Sequence, residues 1–299
     1  MERELWPLLY RELRACANDF RQKYVHIQPW ALVACLLWAA LHDRPASWAC
    51  KPRNWSTTRL RPRRLPSPST LSRRGYGVAA GLLWRALEQR LRGRGEPALA
   101  AFLDGKPSPV GGCTKDRDAA YGRAAGVMGK GYKLHAVWAG RPMPEAWDVT
   151  SLKVGETTAA AGLFGQLAGG GGYVLADGNY DSSPLFDRAA EAGYQLVVPV
   201  PSDNAGKGHH YQSPHRLRCI DLMRPDPWTS PFGRQLYALR TAIERGFGNA
   251  TSFGGGLGPL PAWARRRRRV RFWVWAKLLI NAARIIRNQR KQRLTPSLQ

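Results

Sequence analysis

From about residue 98 onward, short apolar runs alternate with helical patterns, and this order constrains the fold more than any other feature of the chain. Five runs with the length and alternation of strands lie at 99–103, 132–138, 147–152, 173–176 and 195–200. Helical patterns follow the third and fourth of these runs, at 156–168 and 184–192. A polar, proline-rich loop is predicted at 201–233, and a further helix at 237–244. Mixed order of this kind favours a central sheet with helices on its faces, so we predict an α/β fold.

The N-terminal region has a different composition. Residues 1–45 predict two helices, and residues 51–74 carry eight Arg or Lys without a single Asp or Glu. Ser67 followed by proline predicts the start of a short basic helix that includes Arg73 and Arg74. Such a helix after a turn is typical of the second helix of a helix-turn-helix. The alternative, which the residues favour equally, is a solvated basic linker.

The charge of the chain points to a polyanionic partner. The 299 residues carry a net charge of +25, which indicates nucleic acid, with an anionic membrane surface and ribosomal RNA as alternatives. The apolar run at 30–41 has only 12 residues, too few to cross a bilayer, and no signal peptide is visible. The five cysteines are widely spaced and form no metal or disulfide pattern. We therefore expect a cytoplasmic protein with reduced thiols.

Three acidic residues stand out by their positions. Asp104 and Asp177 each directly follow an apolar strand, so their carboxylates emerge at one sheet edge if the two strands are neighbours. Tyr237, Arg240 and Glu244 lie at i, i+3 and i+7, which places them on one face of a helix. Glu244 is the last acidic residue, and the 55 residues after it contain thirteen Arg or Lys.

Clustered carboxylates repel one another, and divalent cations cancel that repulsion. Mg²⁺ prefers hard oxygen ligands, and two such ions can activate a nucleophile and stabilise the leaving oxygen in phosphoryl transfer. The alternatives are ordinary structural roles. Each aspartate taken alone can be a turn residue or a helix cap, and Glu244 can be the i+4 ion-pair partner of Arg240.

Several motifs occur in an order that resembles one protein family. The segments LDGKP at 103–107, GYKLH at 131–135 and LADGNYD at 175–181 look like the core motifs of DDE transposases of bacterial insertion sequences. Residues 237–244 match the first part of that branch's Y-x2-R-x3-E-x6-K signature. Thr251 stands where the signature has its final lysine. The resemblance extends over roughly residues 98–290.

The resemblance implies an RNase H-like core, a mixed five-stranded sheet with flanking helices, between a mainly helical N-terminal region and a basic helical tail. The expected domains are therefore 1–95 for DNA binding, 96–255 for catalysis and 256–299 for the tail. It also implies that two Mg²⁺ ions, with Mn²⁺ as the alternative, are bound by the catalytic residues, which are Asp104, Asp177 and Glu244.

The implied activity is Mg-dependent cleavage of DNA at the ends of a mobile element, followed by strand transfer into target DNA. Double-stranded DNA is the expected partner, and pairing of two ends implies a homodimer on DNA. The expected DNA contacts are Tyr237, Arg240, Lys133, Arg73 and Arg74. Three alternatives stay open: a domesticated transposase that binds DNA without catalysis, which Thr251 favours, a nuclease of the same fold without strand transfer, and a basic ribosome-associated protein.

Overall fold

The computed structural model describes residues 2–93, 98–111, 114–124, 126–167, 170–199, 211–223, 232–240, 248, 250–251 and 256–294. By its packing the chain divides into two compact units. One, here called the helical unit, comprises residues 1–94 and 249–299; the other, the sheet unit, comprises residues 95–248. The C-terminal helix thus packs with the N-terminal helices. The three-domain division stays a prediction.

The α-helices that the structure describes in the helical unit come from both ends of the chain. They are α1 (Glu2–Cys16), α2 (Pro29–Leu41), α3 (Pro68–Arg74), α4 (Val78–Arg92) and α9 (Arg267–Leu294). The predicted Ser67 cap is confirmed, because its side chain accepts a hydrogen bond from the backbone N–H of Thr70 at 3.2 Å. In the described part of the chain, no helix combines the length and apolarity that crossing a bilayer requires.

An aromatic cluster forms the centre of the helical unit. Trp6, Trp38 and Trp55 are each at most 1% exposed. The rings of Trp38 and Trp55 stack with centroids 4.9 Å apart, and Trp6 contacts both. Each indole N–H donates to a backbone carbonyl oxygen, so these large side chains are buried without an unsatisfied donor. The cluster holds the segment after α2 against α1.

Within its described residues, the sheet unit has a six-stranded sheet and helices in the connections. The strands are β1 (Ala100–Pro109), β2 (Ala120–Ala124), β3 (Val127–Trp138), β4 (Ala146–Ser151), β5 (Gly172–Leu175) and β6 (Tyr194–Val197). The helices are α5 (Glu156–Phe164), α6 (Ser183–Glu191), α7 (Pro214–Met223) and α8 (Phe232–Ala238).

The order of the strands is that of an RNase H-like core. β3 pairs antiparallel with β1 on one side and with both β2 and β4 on the other, while β1, β5 and β6 are parallel. The crossover from β4 to β5 contains α5, and that from β5 to β6 contains α6. The predicted mixed sheet with flanking helices is confirmed, with β2 as an additional strand that the sequence analysis missed.

One predicted boundary is wrong in a way that matters for the site. We expected the first strand to stop at Asp104, but β1 continues to Pro109 and pairs with β3 over its whole second half. Val110 donates its N–H to β3, so the alternation of the ladder turns the nitrogens of Pro107 and Pro109 away from that strand. On that side β5 has already ended, and the prolines therefore cost no ladder hydrogen bond.

The predicted loop at 201–233 is also wrong in part, since α7 lies within it. Ser213 begins this helix by accepting the backbone N–H of His215 at 3.2 Å, and proline occupies the first helical position. That Ser-Pro pair was the signal available in the sequence. Similarly, α8 starts before the predicted helix at 237–244 and ends at Ala238.

Candidate functional site

Asp104 and Asp177 reach the same region of the sheet because of the strand register. Phe102 of β1 is paired with Leu175 of its parallel neighbour β5. Asp104 and Asp177 each follow that pair by two residues, and side chains two residues apart in extended chain point to the same face. Asp177 retains extended backbone, with φ −80° and ψ 172°, although it lies beyond the end of β5.

The electrostatics of Asp104 reflect this proximity. Burial raises the pKa of its carboxyl group above the ordinary value, and the negative charge of Asp177 raises it further. A hydrogen bond of 2.7 Å from the backbone N–H of Gly105 to Oδ1 acts in the opposite direction. A site that disfavours two negative charges is one in which a cation is stabilised.

The second aspartate also has a structural role. Oδ1 of Asp177 accepts the backbone N–H of Asn179 at 3.0 Å and so caps the short 3₁₀ helix Gly178–Tyr180. Burial raises the pKa of the Asp177 carboxyl, and the charge of Glu156 adds to that increase. Oδ2 of Asp177 also accepts a hydrogen bond, of 3.3 Å, from the side-chain amide of Asn179, and each carboxylate oxygen keeps a further lone pair for another ligand.

Glu156 is a further acidic residue near the two aspartates, and the sequence analysis did not single it out. It is the first residue of α5, and its charge raises the pKa of both Asp104 and Asp177. Its carboxylate is ion-paired with the ammonium of Lys133. The signal available in the sequence was an acidic residue at a helix start on the crossover that reaches β5.

Gly105 makes the path of the Lys133 side chain possible. A Cβ atom at position 105 would lie 2.8 Å from Cε of Lys133, closer than such atoms approach in proteins. The lysine thus crosses the sheet beside a residue without a side chain and ends at Glu156. Its predicted contact with DNA stays a prediction, and in this structure its ammonium is engaged by that carboxylate.

Tyr237 and Arg240 form a pair beside the carboxylates. Tyr237 lies in α8 and Arg240 in the turn that follows, so the two are not on one continuous helix face as predicted. Nη1 of Arg240 donates to the hydroxyl oxygen of Tyr237 at 2.8 Å. The charge of Arg240 opposes the rise in pKa at both Asp104 and Asp177, which places it within electrostatic reach of both.

Other predicted residues lie elsewhere or outside the described chain. Glu244, the expected third carboxylate, is outside the described residues. Thr251 is half-buried and belongs to the helical unit. Arg73 and Arg74 end α3, where Arg73 is exposed and Arg74 donates to Oε1 of Gln22 at 3.2 Å.

The donor set fits a hard divalent cation. Asp104 and Asp177 offer carboxylate oxygens, the ligands that Mg²⁺ prefers, in a place where their own charges repel. Among the residues that the structure describes, no group of three or more His, Cys, Asp or Glu side chains is arranged to hold a metal ion.

His135 should make the folded protein sensitive to acid. It is fully buried on β3, where Nε2 lies 3.0 Å from Oγ1 of Thr150, and burial together with the charge of Lys133 lowers its pKa from 6.5 to about 4. The unfolded chain then binds the proton more readily, so stability falls as the pH decreases from about 6.5 to about 4. Between pH 7 and pH 5 we expect a loss of about 2 kcal/mol, measured by urea unfolding. His135→Gln should remove this part of the pH dependence, and an unchanged slope in that variant would contradict the assignment.

Comparison with known proteins identifies the family of the chain. The family described as "Transposase DDE domain" matches residues 96–280, more than half of the chain. Among solved structures, the chain is similar to piggyBac transposase in a synaptic complex with hairpin DNA, with a TM-score of 0.49 and 10% sequence identity, covering 97% of this chain and 74% of the other. No curated protein sequence matches it. The chain therefore belongs to the transposase DDE domain family.

Proposed function

We propose that this transposase cleaves DNA at the ends of its own mobile element and joins the freed ends to target DNA. Asp104, Asp177 and Glu244 would hold two Mg²⁺ ions, with Mn²⁺ as the alternative. The observation that supports this most is the meeting of Asp104 and Asp177, two residues beyond a paired position on adjacent parallel strands. Burial raises the pKa of both carboxyl groups, the charge of Asp177 adds to the rise at Asp104 and the charge of Glu156 adds to the rise at Asp177, so a bound cation would be favourable here.

When bound, such ions supply activation of the attacking oxygen and charge stabilisation at the leaving oxygen of an in-line phosphoryl transfer. The protein's own contribution is to position the phosphate. Arg240, oriented by its hydrogen bond to Tyr237, presents a guanidinium group that can bind a phosphate through two N–H donors. Arg240 and Tyr237 together would hold the DNA end near the two carboxylates.

The remaining basic residues have supporting roles in this proposal. Lys133 balances the charge of Glu156 and would contact DNA by exchanging that carboxylate for a phosphate. Arg73 and Arg74 would contact phosphates beside the element end. Bringing two ends together calls for a homodimer on DNA.

Removal of divalent cations provides the direct test. Purified protein is incubated with a supercoiled plasmid that carries the element's ends, with Mg²⁺, with Mn²⁺ or with EDTA. We expect nicked, excised and target-joined products with either ion and none with EDTA, because the carboxylates need a cation to bind and activate the reacting oxygens. Products are separated on agarose gels, and the joined ends are sequenced.

The products also separate the alternative functions. Nicked or linear DNA without joined ends would identify a nuclease. DNA binding without any product under all three conditions would identify a binding protein without catalysis. Cleavage that persists in EDTA would contradict the metal-dependent mechanism.

A further inference from the structure

A basic groove lies on the surface of the helical unit. The carboxylates described above belong to the other unit, the sheet unit. Four arginines and two aromatic residues define this basic groove: Arg14, Arg61, Arg63, Arg64, Tyr10 and Trp30. It is open to solvent and has a volume of about 590 Å³. Its residues come from α1, from the start of α2 and from the segment that precedes α3.

The backbone that carries the arginines is held firmly against α1. The hydroxyl group of Tyr10 donates to the carbonyl oxygen of Arg61 at 3.1 Å, and Nε1 of the buried Trp6 donates to that of Leu60 at 2.7 Å. Pro62, the residue between two of the arginines, is itself buried. The side chains of Arg63 and Arg64 extend from this fixed backbone and are exposed. Groups that are already in place lose less conformational entropy when a ligand binds.

The arginines of the basic groove have no ion-pair partner among the residues that the structure describes. In the described part of the chain, no carboxylate is ion-paired with Arg14, Arg61, Arg63 or Arg64. Other arginines of the same unit do have such partners, as Arg90 has Glu12 at 2.8 Å and Arg287 has Glu4 at 2.8 Å. Four clustered cations without a carboxylate create a local positive potential, which favours binding of an anion.

The aromatic residues indicate which part of a nucleic acid is contacted. The guanidinium carbon of Arg14 lies 4.2 Å from the centroid of the Trp30 ring, and Tyr10 meets that ring edge-on at 6.1 Å. A base therefore cannot stack on this face of Trp30 while Arg14 covers it. Since binding of single strands relies on stacking of bases on aromatic side chains, the geometry favours contacts to the phosphates of a duplex.

We propose that the basic groove binds the sugar–phosphate backbone of double-stranded DNA without reading its sequence. This inference depends on the proposed function for the identity of the polyanion, but it does not depend on catalysis. Phosphate contacts of this kind add affinity and fix the orientation of the duplex. The groove would thus hold DNA at a second place, in addition to the contacts proposed near Asp104 and Asp177.

The test measures DNA binding in EDTA, where no cleavage takes place. Fluorescence anisotropy with a labelled duplex of arbitrary sequence is recorded between 50 and 200 mM salt for wild type, for Arg63→Ala/Arg64→Ala and for Arg14→Ala. The matched control is Arg53→Ala/Arg85→Ala, which removes two exposed arginines of the same unit that do not line the groove. Arg53 belongs to the same basic segment, so it separates the groove from the general charge of that segment.

We expect the groove double variant to lose affinity by roughly tenfold or more and its salt slope to fall by about 2, one for each lost phosphate contact. The control pair should retain the wild-type slope. Arg14→Ala, which also removes the cover from Trp30, should lower duplex affinity and bring single-strand affinity closer to it. Because binding is measured in EDTA and cleavage in Mg²⁺, loss of cleavage without loss of the groove effect, or the reverse, tells failure of catalysis and failure of the groove apart.

Several outcomes would overturn the proposal. Equal losses in the groove and control pairs would show that only net charge matters, and wild-type affinity in the groove pair would show that the groove does not contact DNA. A parallel arm uses a single-stranded oligonucleotide and anionic lipid vesicles. If the groove variants weaken either of these while leaving duplex binding intact, the duplex is the wrong partner. Thermal unfolding checks that each variant folds, and Arg14→Ala alone carries the test if the double variant does not.

Discussion

Replacement of Asp177 by asparagine is expected to lower the rate of DNA cleavage and strand transfer by about 10³-fold, since several kcal/mol of charge stabilisation at the reacting phosphate would be lost. The substitution is nearly isosteric. The amide oxygen of asparagine can still accept the N–H of Asn179 and keep the 3₁₀ helix capped. The change therefore removes one negative charge and the 3.3 Å hydrogen bond that Oδ2 accepts from the side chain of Asn179.

Stability should respond in the opposite direction to activity. Burial and the neighbouring charge of Glu156 make an ionised carboxylate unfavourable at position 177, so the neutral amide should leave the free energy of unfolding unchanged or raise it. Cleavage is measured with the supercoiled-plasmid assay, and stability by thermal unfolding without divalent ions. A variant that loses activity because it unfolds would show the two losses together.

A control for this prediction is Asp187→Asn. Asp187 lies on α6 of the same unit, where its carboxylate accepts hydrogen bonds from Ser213 and Tyr211. The same chemical change there should leave cleavage within about twofold of wild type, because no phosphate or metal contact is proposed for it. Cleavage by Asp177→Asn at the wild-type rate would mean that the carboxylate at position 177 does not take part in the reaction.

Replacement of Arg216 by methionine is expected to destabilise the sheet unit by about 3–5 kcal/mol. Arg216 forms a bidentate ion pair with Asp181, with Nε–Oδ1 and Nη2–Oδ2 distances of 2.7 and 2.8 Å. The two side chains are only 7% and 10% exposed, so loss of the arginine leaves a buried carboxylate without its counter-charge. Urea unfolding followed by tryptophan fluorescence measures the change.

This ion pair is also relevant to the site. Asp181 follows Asp177 by four residues, immediately after the 3₁₀ helix that Asp177 caps, and the pair ties this stretch to α7. We therefore expect Arg216→Met to reduce cleavage as well as stability. Adding Asp181→Asn to Arg216→Met should restore part of the stability, because the uncompensated charge is then gone.

The comparison is Arg188→Met, which removes an arginine from an ion pair with Glu191 in which the side chains are 49% and 62% exposed. Exposed pairs at i,i+3 contribute about 0.5 kcal/mol or less, so this variant should unfold almost as wild type does. If Arg216→Met lowers the free energy of unfolding by less than about 1 kcal/mol, water reaches Asp181 and the ion pair does not stabilise the contact between this stretch and α7.

Much of the local structure follows from patterns of neighbouring residues. The periodicities of β4, β5 and α6 predicted those elements within one residue at each end, whereas β3 begins five residues before its prediction and α5 ends four residues before its own. The Ser67 cap was predicted from the order of side chains alone. Elements were missed where the local signal was weak or ambiguous. In β2 three small residues, Ala120, Gly122 and Ala124, alternate with two exposed ones, and the segment is a strand because β3 offers it an edge.

The prolines after Asp104 show why the end of a strand cannot be predicted without knowing its neighbours in the sheet. Pro107 and Pro109 argue against a strand when only the chain itself is considered. They are tolerated in β1 because β5 ends before it reaches them, and the length of a neighbour cannot be inferred from the residues of β1.

The residues of the candidate site also differ in whether the sequence alone points to them. Asp104, Asp177, Tyr237 and Arg240 could be proposed from the chain alone, because their motifs resemble those of a known family. Glu156 could not, since an acidic residue at a helix start is an ordinary helix signal, and its interaction with Lys133 depends on the gap at Gly105. The basic groove likewise joins Arg14 of α1 to a segment almost fifty residues further on. Charge and periodicity are local properties of a chain and can be read from the sequence. The interaction partners of a charged side chain depend on packing between segments that are distant in the sequence.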